Sequence, residues 1–112
     1  MSRERAKGTD FETLVLTLIQ LYDPSAHRLG SQGVKDRGDI WISDARYVIE
    51  CKNESSYAGK LATWLGEANR EAATAKKPYG IVVHKRRGTR DPAEQYVTLA
   101  LGDYLELTTS LS

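Results

Sequence analysis

The stretch GDIWISDARYVIECK places Asp39 at the head of one apolar run and puts Glu50 and Lys52 at the end of the next. Ile40 to Ser43 and Tyr47 to Lys52 are rich in β-branched and aromatic residues, which predicts two strands. Ser43-Asp44-Ala45-Arg46 supplies a polar hairpin connection between them. In that hairpin Ser43 pairs with Arg46, Ile42 with Tyr47, Trp41 with Val48 and Ile40 with Ile49. Asp39 then falls opposite Glu50, with Cβ atoms roughly 4.5–5.5 Å apart. Two carboxylates so placed beside Ile40, Val48 and Ile49 repel one another unless one is protonated or a cation lies between them. Lys52 shares the face of Glu50 by the period of two, while Ile40, Ile49 and Cys51 point to the other side.

Hard divalent cations take oxygen ligands, and Mg²⁺ takes one or two protein carboxylates together with waters and phosphate oxygens. Asp39, Glu50 and the backbone carbonyl of Cys51 meet that demand. A metal held there activates water and neutralises charge developing on a phosphodiester. Lys52 stays charged beside two carboxylates, so it suits orienting the water and stabilising the pentacoordinate phosphate better than abstracting a proton. The same three residues also fit a solvated cross-strand ion pair on the wet face of an antiparallel sheet.

Several elements must position these residues. Phe11, Leu14, Val15, Leu18, Ile19 and Tyr22 recur at helical spacing, predicting a helix from Thr9 to Tyr22 that ends before Asp23-Pro24. Gly30, Ser31, Gly33 and Gly38 make the next stretch a loop or strand entry, with an extra strand at His27 to Leu29. Leu61, Leu65, Ala68, Ala72 and Ala75 share one face of a second helix, Lys60 to Lys77, which Pro78 stops. Tyr79 to His84 reads as a buried strand and Tyr96 to Leu101 as another, followed by a short helical turn at Asp103 to Leu107. The order α, β-hairpin, α, β, β defines an α/β fold with a mixed sheet.

At 112 residues, 40% apolar and 28% charged, the chain fits one globular domain spanning 1–112 and not a disordered one. Cys51 is the only cysteine, which suits a reducing, cytoplasmic setting. The basic start MSRERAKGTD has no apolar run behind it to make a signal peptide, and LVLTLIQL is too short to span a bilayer. Net charge is +1, but it is unevenly distributed. Lys76, Lys77, Lys85, Arg86, Arg87 and Arg90 follow one another without an acid, whereas Asp91 to Ser112 holds Asp91, Glu94, Asp103 and Glu106 without a Lys or Arg. A phosphate-binding strip explains that polarity, as does a solvated loop.

Glu12 allows two readings. Thr9 to Glu12 spells T-x-x-E, a capping box, and the same carboxylate is free to join Asp39 and Glu50. His27 and His84 lack zinc spacing. Tyr57 and Trp64 suit packing better than base stacking, and Glu67 is either an outer helper of the site or part of an exposed helix face.

Taken together, Gly38-Asp39, Glu50-Cys51-Lys52, a first helix with Lys7-Gly8 and Phe11-Glu12, RLGSQG before the first site strand, and YGIVVHK after the second helix resemble the PD-(D/E)XK nuclease superfamily. The likeness is nearest to small Holliday junction resolvases of archaea and phages, and it covers most of the chain. Gly38 stands where the family name has proline, and Thr13 follows Glu12 where archaeal resolvases often carry arginine. The resemblance implies a restriction-endonuclease-like core. It also implies a site of Glu12, Asp39, Glu50 and Lys52, a metal, Mg²⁺ or Mn²⁺, held by Glu12, Asp39, Glu50 and Cys51, and a loop serine at Ser31. The implied substrate is branched DNA, a four-way junction, cut by a homodimer to leave 5′-phosphates. Small size and the likeness point to a phage origin. Arg3, Arg5, Lys7, Arg28, Lys35, Arg37, Lys60, Lys85, Arg86 and Arg87 are the candidate phosphate contacts. Another repair or restriction nuclease on this fold, or a non-catalytic nucleic-acid-binding module, are the alternative readings.

Overall fold

The computed structural model describes residues 3–29 and 37–109, with 3–7 by their backbone alone. Ser31 and Lys35 lie outside the described residues, as do the side chains of Arg3, Arg5 and Lys7. The described strands form one mixed sheet in the order β1 (His27–Arg28), β2 (Ile40–Trp41), β3 (Tyr47–Lys52), β4 (Tyr79–His84), β5 (Tyr96–Thr98). β3 and β4 run parallel, with Tyr47 against Tyr79 and Lys52 against His84, and the other neighbours are antiparallel. Helix α1 (Arg3–Tyr22) covers one face, α2 (Leu61–Thr74) makes the crossover from β3 to β4 on the other, and α3 (Leu101–Thr109) follows β5. The architecture is the expected α/β class. No described helix is long and apolar enough to cross a membrane.

Strand alternation assigns the two cores. Ile49, Cys51, Ile81 and Val83 turn toward α1 and pack with Phe11, Val15, Ile40 and Ile42, while Val82 turns toward α2 and packs with Trp64 and Ala68. Gly80 permits that second contact. A Cβ there would lie 2.3 Å from the Ala68 carbonyl oxygen, and the Gly80 N–H donates to Asn69 Oδ1 at 3.0 Å.

The following expectations need correction. The first helix begins at Arg3, because the Arg, Glu, Ala and Lys residues before Gly8 are good helix formers. Thr9 is therefore a helix-interior residue, and Glu12 caps nothing. The hairpin keeps its expected register, Ile40 against Ile49, but β2 ends at Trp41. Side chains take the backbone groups that a longer ladder would have used. Asp23 Oδ2 accepts from the Ser43 N–H at 2.7 Å and its hydroxyl at 3.0 Å, and Lys77 Nζ donates to the carbonyls of Ile42, Asp44 and Tyr47. At the C-terminal end, β5 stops at Thr98, and Leu101, expected to end the strand, instead opens α3.

Candidate active site

The site lies at the C-terminal end of the parallel pair β3 and β4, where ligands of open α/β sheets commonly bind. Asp39 precedes β2, which runs antiparallel to β3, so it arrives at the same end as Lys52. Its backbone is clamped. The Asp39 N–H donates to the Ile49 carbonyl at 2.8 Å, and its own carbonyl accepts from the Leu29 N–H at 2.9 Å. Bonding to Ile49 means that Asp39 does not sit in a regular ladder pair with Glu50, as the hairpin reading expected. Gly38 makes the turn possible: its φ is +100°, and a Cβ there would meet the Ile49 carbonyl at 3.0 Å. The Asp39 carboxylate accepts from the Cys51 N–H at 2.7 Å, a charge-assisted bond that fixes it against the Glu50-Cys51-Lys52 segment.

Glu50 is buried, with 8% of its surface exposed. Burial, the Asp39 charge and a hydrogen bond with Glu71 push its carboxyl well above the carboxylate range. Glu71 is also raised, chiefly by burial, and Asp39 adds to the effect. Both carboxyls are therefore shifted toward their protonated forms. Glu71 Oε1 is buried without a hydrogen-bond partner among the described residues. Lys52 Nζ lies 2.8 Å from Glu67 Oε1 and 3.4 Å from Glu50 Oε2. Burial works against its charge, but the two carboxylates outweigh that and raise its pKa, so Lys52 is an ammonium and not a base. The Cys51 thiol faces the α1 core, where burial and then the neighbouring acids raise its pKa. Its side chain packs, leaving only its backbone for the site.

Glu12 reaches this end from α1. Arg28 Nε and Nη2 each lie 3.1 Å from Glu12 Oε1. Burial and Asp39 raise the Glu12 pKa, while Arg28 opposes them. Arg28, read as a phosphate contact, therefore also neutralises a site carboxylate. The Asp39 charge acts on both the α1 acid Glu12 and the α2 acid Glu71, raising the pKa of each.

Among the described residues, no three His, Cys, Asp or Glu side chains converge closely enough to hold a metal ion. The donor chemistry nonetheless fits a hard cation: buried carboxylates repel one another, and one Glu71 oxygen has no partner. Glu71 was missed as a site residue because it reads as part of an exposed acidic helix face. The available signal was its place four residues after Glu67, with both acids flanking the small buried residues Ala68 and Ala72.

Chain direction brings many basic residues to this end. Arg28 closes β1, Arg37 leads into Asp39, Lys60 follows the loop after β3, and Lys85, Arg86 and Arg87 follow β4. Lys60 pairs with Glu54, and Arg86 lies over the Tyr96 ring at 5.7 Å. Gln95 braces the basic turn, accepting from the Arg86 N–H at 2.7 Å and donating to the Thr89 and Asp91 carbonyls. Lys76 and Lys77 lie at the opposite end, before β4. His84 is buried among Tyr57, Trp64 and Tyr96, its Nε2 2.8 Å from Thr98 Oγ1, and burial lowers its pKa. His84 is a packing residue, held among the rings of Tyr57, Trp64 and Tyr96. No protein-family model, curated protein or solved structure matches this chain.

Proposed function

We propose that the protein is a metal-dependent endodeoxyribonuclease of the PD-(D/E)XK type that hydrolyses phosphodiesters in branched DNA, as a Holliday junction resolvase does. The observation that carries this reading is the grouping of Asp39, Glu50 and Lys52 at one strand end, with the Asp39 carboxylate held by the Cys51 N–H. The basic residues gathered at the same end suit a polyanion.

Asp39, Glu50 and the Cys51 carbonyl would hold Mg²⁺ or Mn²⁺, with Glu12 behind them. When bound, the metal supplies a water of lowered pKa and charge neutralisation at the phosphate. Because burial and Asp39 favour its neutral form, Glu50 would bind the metal more tightly as pH rises. Lys52, kept charged by Glu67, hydrogen-bonds the attacking water and the phosphoryl oxygen on which charge develops. Glu67 holds the Lys52 ammonium in place. Paired cuts across a four-way junction need two copies of a site that each chain supplies once.

The unconverged carboxylates favour a second reading, a module that binds nucleic acid without cutting it. Cleavage of a labelled four-way junction beside nicked and linear duplexes, in Mg²⁺, in EDTA and with Asp39→Asn, separates the possibilities. Paired, metal-dependent nicks confined to the junction and lost in the variant are expected. Equal cutting of every substrate would indicate a general repair or restriction nuclease, and binding without cleavage in Mg²⁺ or Mn²⁺ would indicate the module.

A further inference from the structure

Beyond Asp39, strand β2 carries an aromatic residue that the packing of the two cores does not use. Ile40 and Ile42 both enter the α1 core, so alternation turns Trp41 to the α2 side of the sheet. The pairing of Ile40 with Ile49 sets Trp41 beside Val48, two residues before Glu50 on that same side. Two residues of strand put the indole about 7 Å along the sheet from the level of Glu50. There Ala75, at the end of α2, joins Leu29, Arg37, Ile40, Trp41 and Lys77 in walling a cavity of about 150 Å³. Apolar cavities of about that size take up benzene, a single six-membered ring. The walls suit a flat, uncharged ring with acceptors on its edge. Trp41 is 37% exposed, and His27 stacks on it with ring centroids 5.1 Å apart and planes 21° from parallel. The His27 ring is held in turn, its Nδ1–H donating to the Ser25 carbonyl at 3.0 Å. Lys77 spends its ammonium on three backbone carbonyls and so offers the cavity its alkyl stem. Arg37, an exposed residue, adds a fork of N–H donors, and no described acid lines the cavity.

We propose that this cavity receives an unpaired pyrimidine base from the DNA strand whose phosphate lies against the acidic residues. The base stacks on Trp41, extending the His27–Trp41 pair to three rings, and Arg37 donates to its carbonyl oxygens. A pyrimidine has the single ring that the cavity volume admits, whereas a purine has two fused rings. The positive charge of Arg37 disfavours a cationic guest and suits a ring that arrives on a phosphate backbone. A base paired within a duplex is stacked between its neighbours and cannot enter, so the cavity selects strands that offer a splayed nucleotide beside the phosphate. The inference rests on the nuclease reading for the identity of the strand, and it deepens that reading by naming what a branch point supplies that linear duplex lacks.

Fluorescence titration in EDTA, where no cleavage occurs, tests it. The chain has two tryptophans and Trp64 is only 6% exposed, so quenching by a stacked base reports on Trp41. A short oligothymidylate is expected to quench the emission and to bind about 5–100-fold more tightly than an abasic strand of equal length, which carries the phosphates without the bases. Trp41→Ala should bring the two affinities together with an unchanged circular dichroism spectrum, and Trp41→Phe should keep most of the preference. Should Trp41→Ala lose secondary structure, Trp41→Leu, which keeps bulk without a ring, decides by the same readout. Equal affinity of the wild type for both strands, a preference that survives loss of the ring at position 41, or tighter binding of an oligoadenylate would overturn the base pocket. Thymidine monophosphate binding as tightly as the strand would overturn it too, by making the cavity a free-nucleotide site. A chain that shows the base preference yet cuts no junction sinks the nuclease reading alone, and one that cuts the junction but treats the two strands alike sinks the pocket alone.

Discussion

Two lysines mark the two ends of β3, and their surroundings differ in kind. At the N-terminal end, Lys77 points its three donors at three backbone carbonyls, those of Ile42, Asp44 and Tyr47, at 3.4, 2.8 and 3.1 Å. Burial lowers its pKa, with Asp44 partly compensating. Donors and acceptors are matched there, and the ammonium ties the hairpin together. At the C-terminal end, Lys52 is one ammonium among Asp39, Glu50, Glu67 and Glu71, and the crowding of acids raises the pKa of both Glu50 and Glu71. The first end is complete as it stands. The second has an excess of negative charge, which a bound cation would relieve and which a purely structural ion pair would not need.

Substitutions should separate the two ends. The largest effect is expected at the charged end: Lys52→Met should slow junction cleavage about 10²–10³-fold, as loss of a transition-state donor does, with junction affinity little changed. Comparable losses in affinity and rate would instead make Lys52 a binding residue. Lys77→Met should leave cleavage per folded molecule unchanged and destabilise the protein by about 2–3 kcal/mol, read as a shift in urea midpoint, because three carbonyls lose a charged donor. The smallest change in stability should come from Glu50→Gln, which stabilises the fold at neutral pH by about 1–2 kcal/mol.

The pH dependence of that last variant follows from linkage. Glu50 has a raised pKa in the folded state, so above the ordinary value of 4.5 the folded chain keeps a proton that the unfolded chain releases. Its contribution to stability is full below that value and is lost as pH rises toward the folded value. Thermal melts across that range should show the wild type losing more stability than Glu50→Gln, whose amide donates to Glu71 without titrating. Parallel curves would mean that Glu50 is ionised in the folded protein.

Much of the frame was legible in the residues. Strand β4 has the bounds its apolar run predicts, and the register of Ile40 with Ile49 follows from hairpin length, because both depend on local pattern. Glu50 and Lys52 share one strand end, as alternation requires, whereas Asp39 joins them through the Cys51 N–H and not through the expected ladder pair. What local pattern cannot supply is the partner chosen by a long side chain. Asp23 and Lys77 cut β2 short by satisfying its backbone from elsewhere in the chain, and nothing near Ser43 announces that. Glu71 looks like any solvated helix glutamate until the crossover lays α2 over Glu50. The T-x-x-E at Thr9 misleads because a capping box has meaning only at a helix start, and the upstream residues move that start away.

The close seat of Gly80 under Ala68 has a mechanical consequence for the charged end. Helix α2 carries Trp64, Ala68 and Ala72 against the sheet, and the same helix supplies Glu67 and Glu71. The spacing between helix and strand is therefore also the width of the acidic cleft. A methyl group at position 80 would have to wedge α2 outward, and Glu67 and Glu71 would be carried away from Lys52 and Glu50 as parts of one rigid rod. A residue with no side chain and no chemistry of its own thus gauges the opening into which a cation and a phosphate would fit, and tolerance at that position reports the tolerance of the site.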